Sequence, residues 1–233
     1  MRQSGRADKQ KDKQANNGGQ ILMRTDSFAE FLARGAESAP RHVVARRLGP
    51  GVLVGVAVSV ALALLVVGPL PATVFASPAP WIKLAYVICL FVPALVLMAG
   101  LARPLSRSLW PLVSVAVVFA CMMAWGSLEL LGAAQSDRSA ILFGQTWLIC
   151  PWMVLGLSVP ALASLLWAVR GLAATRLRLA SAGAGFLAGS AGALGYSLVC
   201  PESSVMFVAI WYSLGILLST ILGALAGPRF ISW

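Results

Sequence analysis

Charged residues along this chain gather in the first fifty positions and in short intervals after that, and the stretches between them are apolar on every side. Six such windows occur, at about residues 50–70, 84–102, 110–132, 147–169, 179–199 and 204–227. A bilayer core about 30 Å thick is crossed by roughly 20 apolar residues at helical rise, so each window has the length of a membrane-spanning helix. Barrel strands would instead show segments of about 10 residues with alternating polarity, which the run from Val52 to Leu65 does not. The pattern predicts an all-α membrane protein, a six-transmembrane-helix bundle with short loops.

The polar start of the chain divides in two. Residues 1–20 hold no apolar residue beyond Met1, Ala7 and Ala15, too little to bury on folding. Met23, followed by Arg24-Thr25-Asp26, is an alternative start, so residues 1–22 read as a disordered tail or a misannotated start. Ser27-Phe28-Ala29-Glu30 then matches a capping box. Phe28, Phe31, Leu32 and Gly35 recur at helical spacing behind it, which predicts a short cytoplasmic amphipathic helix. That helix either lies on the inner leaflet, helped by Arg24, Arg34 and Arg41, or docks a soluble protein. The expected organisation is the tail at 1–22, a cytoplasmic segment at 23–48 and the transmembrane domain at 49–233. A cleavable signal peptide is not expected, because the first apolar stretch continues at full spanning length.

Composition agrees with this division: 59% of the 233 residues are apolar and 11% are charged. Where the basic residues fall sets the orientation, because Lys and Arg are retained on the cytoplasmic side. Sixteen of the 18 lie before the first window, in the even-numbered loops or after the last window, and only Lys83 and Arg138 lie in the others. Both termini are therefore expected in the cytoplasm. The net charge of +10 reports topology rather than direct nucleic-acid binding, because the basic residues sit at helix ends and in one short tail.

Four cysteines offer the most distinctive chemistry. Cys89 and Cys121 fall within spans and read as small buried apolar residues. Cys150 lies four residues into the fourth span, with Pro151 after it, and Cys200-Pro201 closes the fifth, which places both thiols at the same water-facing surface. Pro201 ends its helix, and Pro151 sits in a first turn where its missing amide costs little. In an oxidising compartment the pair would be a permanent disulfide or a redox-active, ligand-sensing site. A resident metal or other cofactor is not expected: the single histidine, His42, lies across the membrane, although two thiolates and Glu202 could hold a soft ion transiently.

Other polar features are quieter. Glu129, near Trp125 at a span end, reads as an interfacial residue rather than part of a proton path. Gly183, Gly185, Gly189, Gly192 and Gly195 suit close helix packing. Nucleophile–base sets, phosphate loops and HExxH-type zinc motifs are absent, as is a Cys-x-x-Cys of the kind membrane disulfide oxidoreductases carry, so an enzyme is not expected. A small transporter or channel and a thiol oxidoreductase stand as the alternative readings.

One further pattern is more specific. Thr25-Asp26, Trp81-Ile82-Lys83-Leu84, Arg103-Pro104, Cys150-Pro151, Cys200-Pro201-Glu202-Ser203, Phe207, Trp211-Tyr212 with Leu214-Gly215, and Gly227-Pro228-Arg229 together resemble the NrsF family of bacterial inner-membrane anti-sigma factors, over roughly residues 24–233. The resemblance implies six spans and a partner, an extracytoplasmic-function sigma factor, held inactive at the bilayer. It implies that Cys150 and Cys200 sense oxidant or thiol-reactive metal outside, and that a segment including Thr25, Asp26, Phe28, Phe31 and Leu32 grips the sigma factor inside.

Overall fold

A computed structural model of the chain describes residues 41–101, 109–170 and 177–231. Among these the regular structure is helical throughout: α1 (Arg41–Val66), a 3₁₀ turn (Ala72–Ala76), α2 (Ala79–Leu101), α3 (Trp110–Gly132), α4 (Arg138–Phe143), α5 (Cys150–Arg170), α6 (Leu177–Ser197), α7 (Val205–Phe207), a π-helical turn (Val208–Tyr212) and α8 (Ser213–Ile231). Val44–Trp233 forms one compact unit. The capping box at Ser27 and the expected partner-binding residues Thr25, Asp26, Phe28, Phe31 and Leu32 lie outside the described residues.

Among the described residues five helices are long and apolar enough to cross a membrane: Leu48–Val66, Ala79–Leu101, Trp110–Gly132, Cys150–Arg170 and Val205–Gly227. α6, which the sequence pattern placed fifth of six, has 21 residues, of matching length but lower hydropathy. The reason is its surroundings. Its face is built from Gly, Ala and Ser, and fifteen of its residues are buried against other helices. A Cβ at Gly185 would come within 2.5 Å of the Ser219 carbonyl oxygen in α8, and one at Gly192 within 2.6 Å of the Val154 carbonyl oxygen in α5. Backbones that approach this closely leave no room for the large apolar side chains that lipid contact favours. Hydropathy therefore falls where protein replaces lipid.

The α1–α5 and α6–α8 pairings are antiparallel. Gly51 meets Ser164 and Gly55 meets Ala161 between α1 and α5, and Gly189 meets Ile216 while Gly223 meets Ser181 between α6 and α8. Serine hydroxyls pin them: Ser59 donates to Leu157 O at 2.7 Å, Ser164 to Gly51 O at 3.0 Å, and Ser219 to Gly185 O at 3.0 Å. The outer surface is the reverse of a water-soluble one, with Leu53, Leu65, Leu128, Leu131 and Leu225 exposed, as contact with hydrocarbon requires.

Two helix ends differ from the apolar windows, and both bear on the position of Lys83. α1 stops at Val66, short of residue 70, because Gly68 turns with a positive φ of 89° ahead of Pro69. α2 starts at Ala79 with Pro80 in its first turn, where proline is well tolerated. Lys83 is consequently inside a helix and not in a loop. Cys89 and Cys121, expected to be buried, are exposed on the outside of the bundle; a small apolar residue suits the lipid face as well as the interior.

Candidate functional site

The start of α2, the start of α5, the end of α6 and the start of α7 meet at one end of the bundle, and the two Cys-Pro dipeptides sit there. Cys150 is the first residue of α5, its amide bonded to Thr146 O at 2.8 Å. Cys200 follows α6, with its amide on Tyr196 O at 3.0 Å, and Pro201 supplies no amide to continue the helix. Both thiols are free, both belong to one apolar cluster, and both have zero exposure. The expectation that they face water is corrected: a cover folds over them.

Lys83 holds that cover. Its Nζ donates to Cys200 O and to Glu202 O, each at 2.7 Å, while the side chain is only 2% exposed. A buried ammonium is tolerated when strong acceptors surround it. Here they are carbonyls at the end of α6, where the helix dipole is negative. Cys150, Cys200 and Glu202 are ionisable neighbours close enough to act on it electrostatically.

Glu202 fastens the same segment from the other side. Its Oε1 accepts from the amides of Gln145 and Thr146 at 2.7 and 3.1 Å and from the Thr146 hydroxyl at 3.1 Å. Gly144 makes room for it: φ is 53°, and a Cβ there would lie 2.6 Å from the Glu202 carboxylate. Ser204 Oγ donates to Ile141 O at 3.0 Å and accepts from the Phe207 amide at 3.3 Å, capping α7. Trp211 Nε1 donates to Leu142 O at 2.9 Å, and its ring packs with Phe143 and Trp147. The loop after α4 and the Cys-Pro-Glu-Ser segment thus close as one piece.

Glu129, read from sequence as an interfacial carboxylate, has a defined task. Its Oε2 accepts from the Val205 amide at 3.0 Å and the Met206 amide at 3.4 Å. It satisfies donors that a helix start leaves open.

Two tyrosines complete the thiol environment. The rings of Tyr196 and Tyr212 are 5.6 Å apart, in the same buried cluster as Cys150 and Cys200. Tyr212 is fully buried, and among the described residues no oxygen or nitrogen bonds its hydroxyl. It is the last residue of the π-helical turn, a local widening that recurs at functional sites.

The structure therefore brings Cys150 and Cys200 together as the sequence pattern implied, and adds Lys83, Tyr196, Tyr212 and Thr146. Of these, Lys83 was legible in principle. A proline pair at 78 and 80 marks a helix start, and a lysine three residues later must lie within that helix. Tyr212 entered the sequence reading only within the Trp211-Tyr212 pair that carries the resemblance, and Tyr196 carried no signal, since an aromatic near a span end is ordinary membrane composition. Among the described residues no group of three or more His, Cys, Asp or Glu side chains converges as a metal site, and the Glu202 carboxylate is engaged with Thr146. The chemistry available is that of two thiols: disulfide formation, or capture of a soft electrophile.

Comparison with known proteins gives a consistent picture. The family model described as "Negative regulator of sigma F" matches residues 32–233. The probable anti-sigma-F factor NrsF of Azospira oryzae is 34% identical over 213 residues, covering 91% of this chain and all of that protein. The anti-sigma-F factor NrsF of Caulobacter vibrioides is 34% identical over 221 residues, again 91% of this chain and all of the relative. No solved structure matches the chain.

Proposed function

The chain belongs to the NrsF family of negative regulators of sigma F, and from that membership we propose that it is an anti-sigma factor of the bacterial inner membrane. It sequesters an extracytoplasmic-function sigma factor and releases it when oxidant or a thiol-reactive metal modifies Cys150 and Cys200. The observation that carries this reading is the match itself, which extends over the whole thiol site and every described helix. The relatives' names supply the anti-sigma role; the sensing role is our reading of the buried thiols.

In this account α6 is a sixth crossing, shielded from lipid by its neighbours, and both termini lie in the cytoplasm, a reading supported by where the basic residues fall. The thiol end faces the periplasm, where disulfides form. The segment 23–48 holds the sigma factor, with Thr25, Asp26, Phe28, Phe31 and Leu32 in its grip.

The transmission step is built on the cover. A disulfide sets Cα atoms about 5.5 Å apart, and a bound metal sets its own geometry. Either product moves Cys200, whose carbonyl is bonded to Lys83. Lys83 and Leu101 are on one continuous helix, so displacement at the thiol end carries to the opposite end along α2. There it biases the sigma-binding segment between holding and releasing states.

The test is a sigma-dependent reporter in cells carrying Cys150→Ser or Cys200→Ser. Each variant keeps the reporter silent under peroxide while wild type induces it. Induction of both variants to the wild-type level would remove the sensing role and leave the anti-sigma role standing.

A further inference from the structure

We propose that the groove between α5 and α8, at the end of the bundle away from the thiols, binds an anionic phospholipid, with one acyl chain in the groove and the phosphate on Arg170. This site is independent of the sensing reading above. In the orientation proposed there, it lies in the inner leaflet.

α5 and α8 run in the same direction from the thiol end, and there they touch. A Cβ at Gly215 in α8 would lie 2.7 Å from Val154 Cβ and 3.2 Å from Pro151 O in α5. Further along they part. α8 turns its small residues to α6, where Gly223 meets the Ser181 carbonyl. α5 carries Pro160 in its interior, which removes one helix hydrogen bond. From Val159 onward a groove of about 380 Å³ lies between the two helices. Leu162 and Leu166 are its buried lining, Trp167 and Phe230 its exposed lining, and Arg170 is the one charged residue among the described residues that line it.

A concave apolar surface inside a bilayer fills with hydrocarbon, because an empty gap forfeits dispersion contacts on one side. Lipid tails are as apolar as the groove itself, so filling it does not favour one lipid over another. Selection falls to the headgroup, and here the charges are one-sided. Glu129, Asp137 and Glu202 are the acidic residues among those described. Glu129 bonds the start of α7, Glu202 bonds Gln145 and Thr146, and Asp137 directly precedes α4. All three belong to the thiol end. Arg170 closes α5 at the opposite end, and Arg178 stands there in the first turn of α6, with no described acidic residue to balance them.

A phosphodiester supplies the missing anion. A guanidinium holds its oxygens through paired N–H donors, and basic pockets between spans bind anionic headgroups. The chain and the phosphate of a phospholipid are joined in one molecule, so the apolar groove and the arginine at its end are satisfied together. A zwitterionic lipid brings its own cation beside the phosphate, and a free phosphate leaves the groove unfilled.

The experiment measures lipid binding to the full chain in mild detergent by native mass spectrometry. The probes are phosphatidylglycerol and phosphatidylcholine with identical acyl chains, and inorganic phosphate is the competitor. Wild type binds phosphatidylglycerol at least about tenfold more tightly than phosphatidylcholine, the worth of one charge-assisted bond. Arg170→Gln brings that ratio close to unity, while Arg178→Gln keeps it. Ala163→Phe, which puts a ring into the groove from α5, weakens binding of both lipids, and Leu222→Trp does the same from α8. Melting temperatures in lipid-free detergent stay at the wild-type value, because Ala163, Arg170, Arg178 and Leu222 are exposed. Equal affinity for the two lipids, a ratio lost equally in Arg178→Gln, unaltered binding in both groove-filling variants, or displacement of the lipid by millimolar inorganic phosphate overturns the proposal. A dimer of the chain that the groove-filling variants dissociate also overturns it, since a second copy would then be the occupant.

Discussion

The Nζ of Lys83 is 2.7 Å from the carbonyl oxygen of Cys200, a residue 117 positions further along the chain. With its second bond to Glu202 O, it joins the second turn of α2 to the segment that closes the thiol site. The same residue therefore governs access to the thiols and ties them to a helix that runs the length of the bundle.

For access, Lys83→Met keeps the apolar stem and removes both bonds. The buried Cys200 carbonyl then loses its donor, at a cost of about 1–3 kcal/mol, the part-buried Glu202 carbonyl loses one as well, and the cover opens more often. Labelling that depends on transient opening tracks the open population, so maleimide modification of Cys150 and Cys200 should rise by at least about tenfold per 1.4 kcal/mol lost. Peptide mapping after timed labelling reads this directly. Equal rates in wild type and variant would mean that Lys83 is not what seals the site.

Glu202 acts through geometry as well as charge. Glu202→Gln retains an oxygen that can accept from Gln145 and Thr146, whereas Glu202→Ala leaves those donors unbonded. Charge-assisted bonds of this kind contribute about 1.5–3 kcal/mol. The melting temperature should therefore fall in the order wild type, Gln, Ala, with thiol labelling rising in the same order. Gln and Ala variants indistinguishable from wild type would show that the carboxylate does not hold the loop.

Much of the architecture was legible because its signals are local. Long uncharged runs locate five of the helices to within a few residues, and Cys-Pro at 200 marks a helix end, whereas the helix expected from about residue 147 begins only at Cys150. The errors share a cause. Burial of Cys150 and Cys200, and exposure of Cys89 and Cys121, depend on which neighbours cover a helix face, and linear position along a span carries no such information. Lys83 was misplaced for the complementary reason: its charge suggests a loop, while carbonyl acceptors over a hundred residues away make it stable inside a helix. Tyr212 needs the π turn and the packing of the bundle before it joins the thiol cluster.

The glycines of α6 give a stability prediction with an internal control. Gly185→Ala forces a Cβ into the α8 backbone at Ser219, and should cost about 3 kcal/mol or more if the helices cannot separate. Gly156→Ala in α5 meets nothing within 4 Å, and should be neutral or stabilising by up to about 1 kcal/mol from helix propensity. Thermal unfolding in detergent separates them. Equal stability would contradict the central, lipid-shielded position of α6.

The central claim is that the chain holds a sigma factor and lets it go when the buried thiols react. Its most direct test is recovery of the tagged protein from its own cells in mild detergent, before and after peroxide, with co-purifying proteins identified by mass spectrometry. The account predicts an extracytoplasmic-function sigma factor in the first sample and its loss from the second, with the loss absent in Cys200→Ser. An expressed sigma factor that fails to co-purify in either sample, with the bait intact, would contradict it.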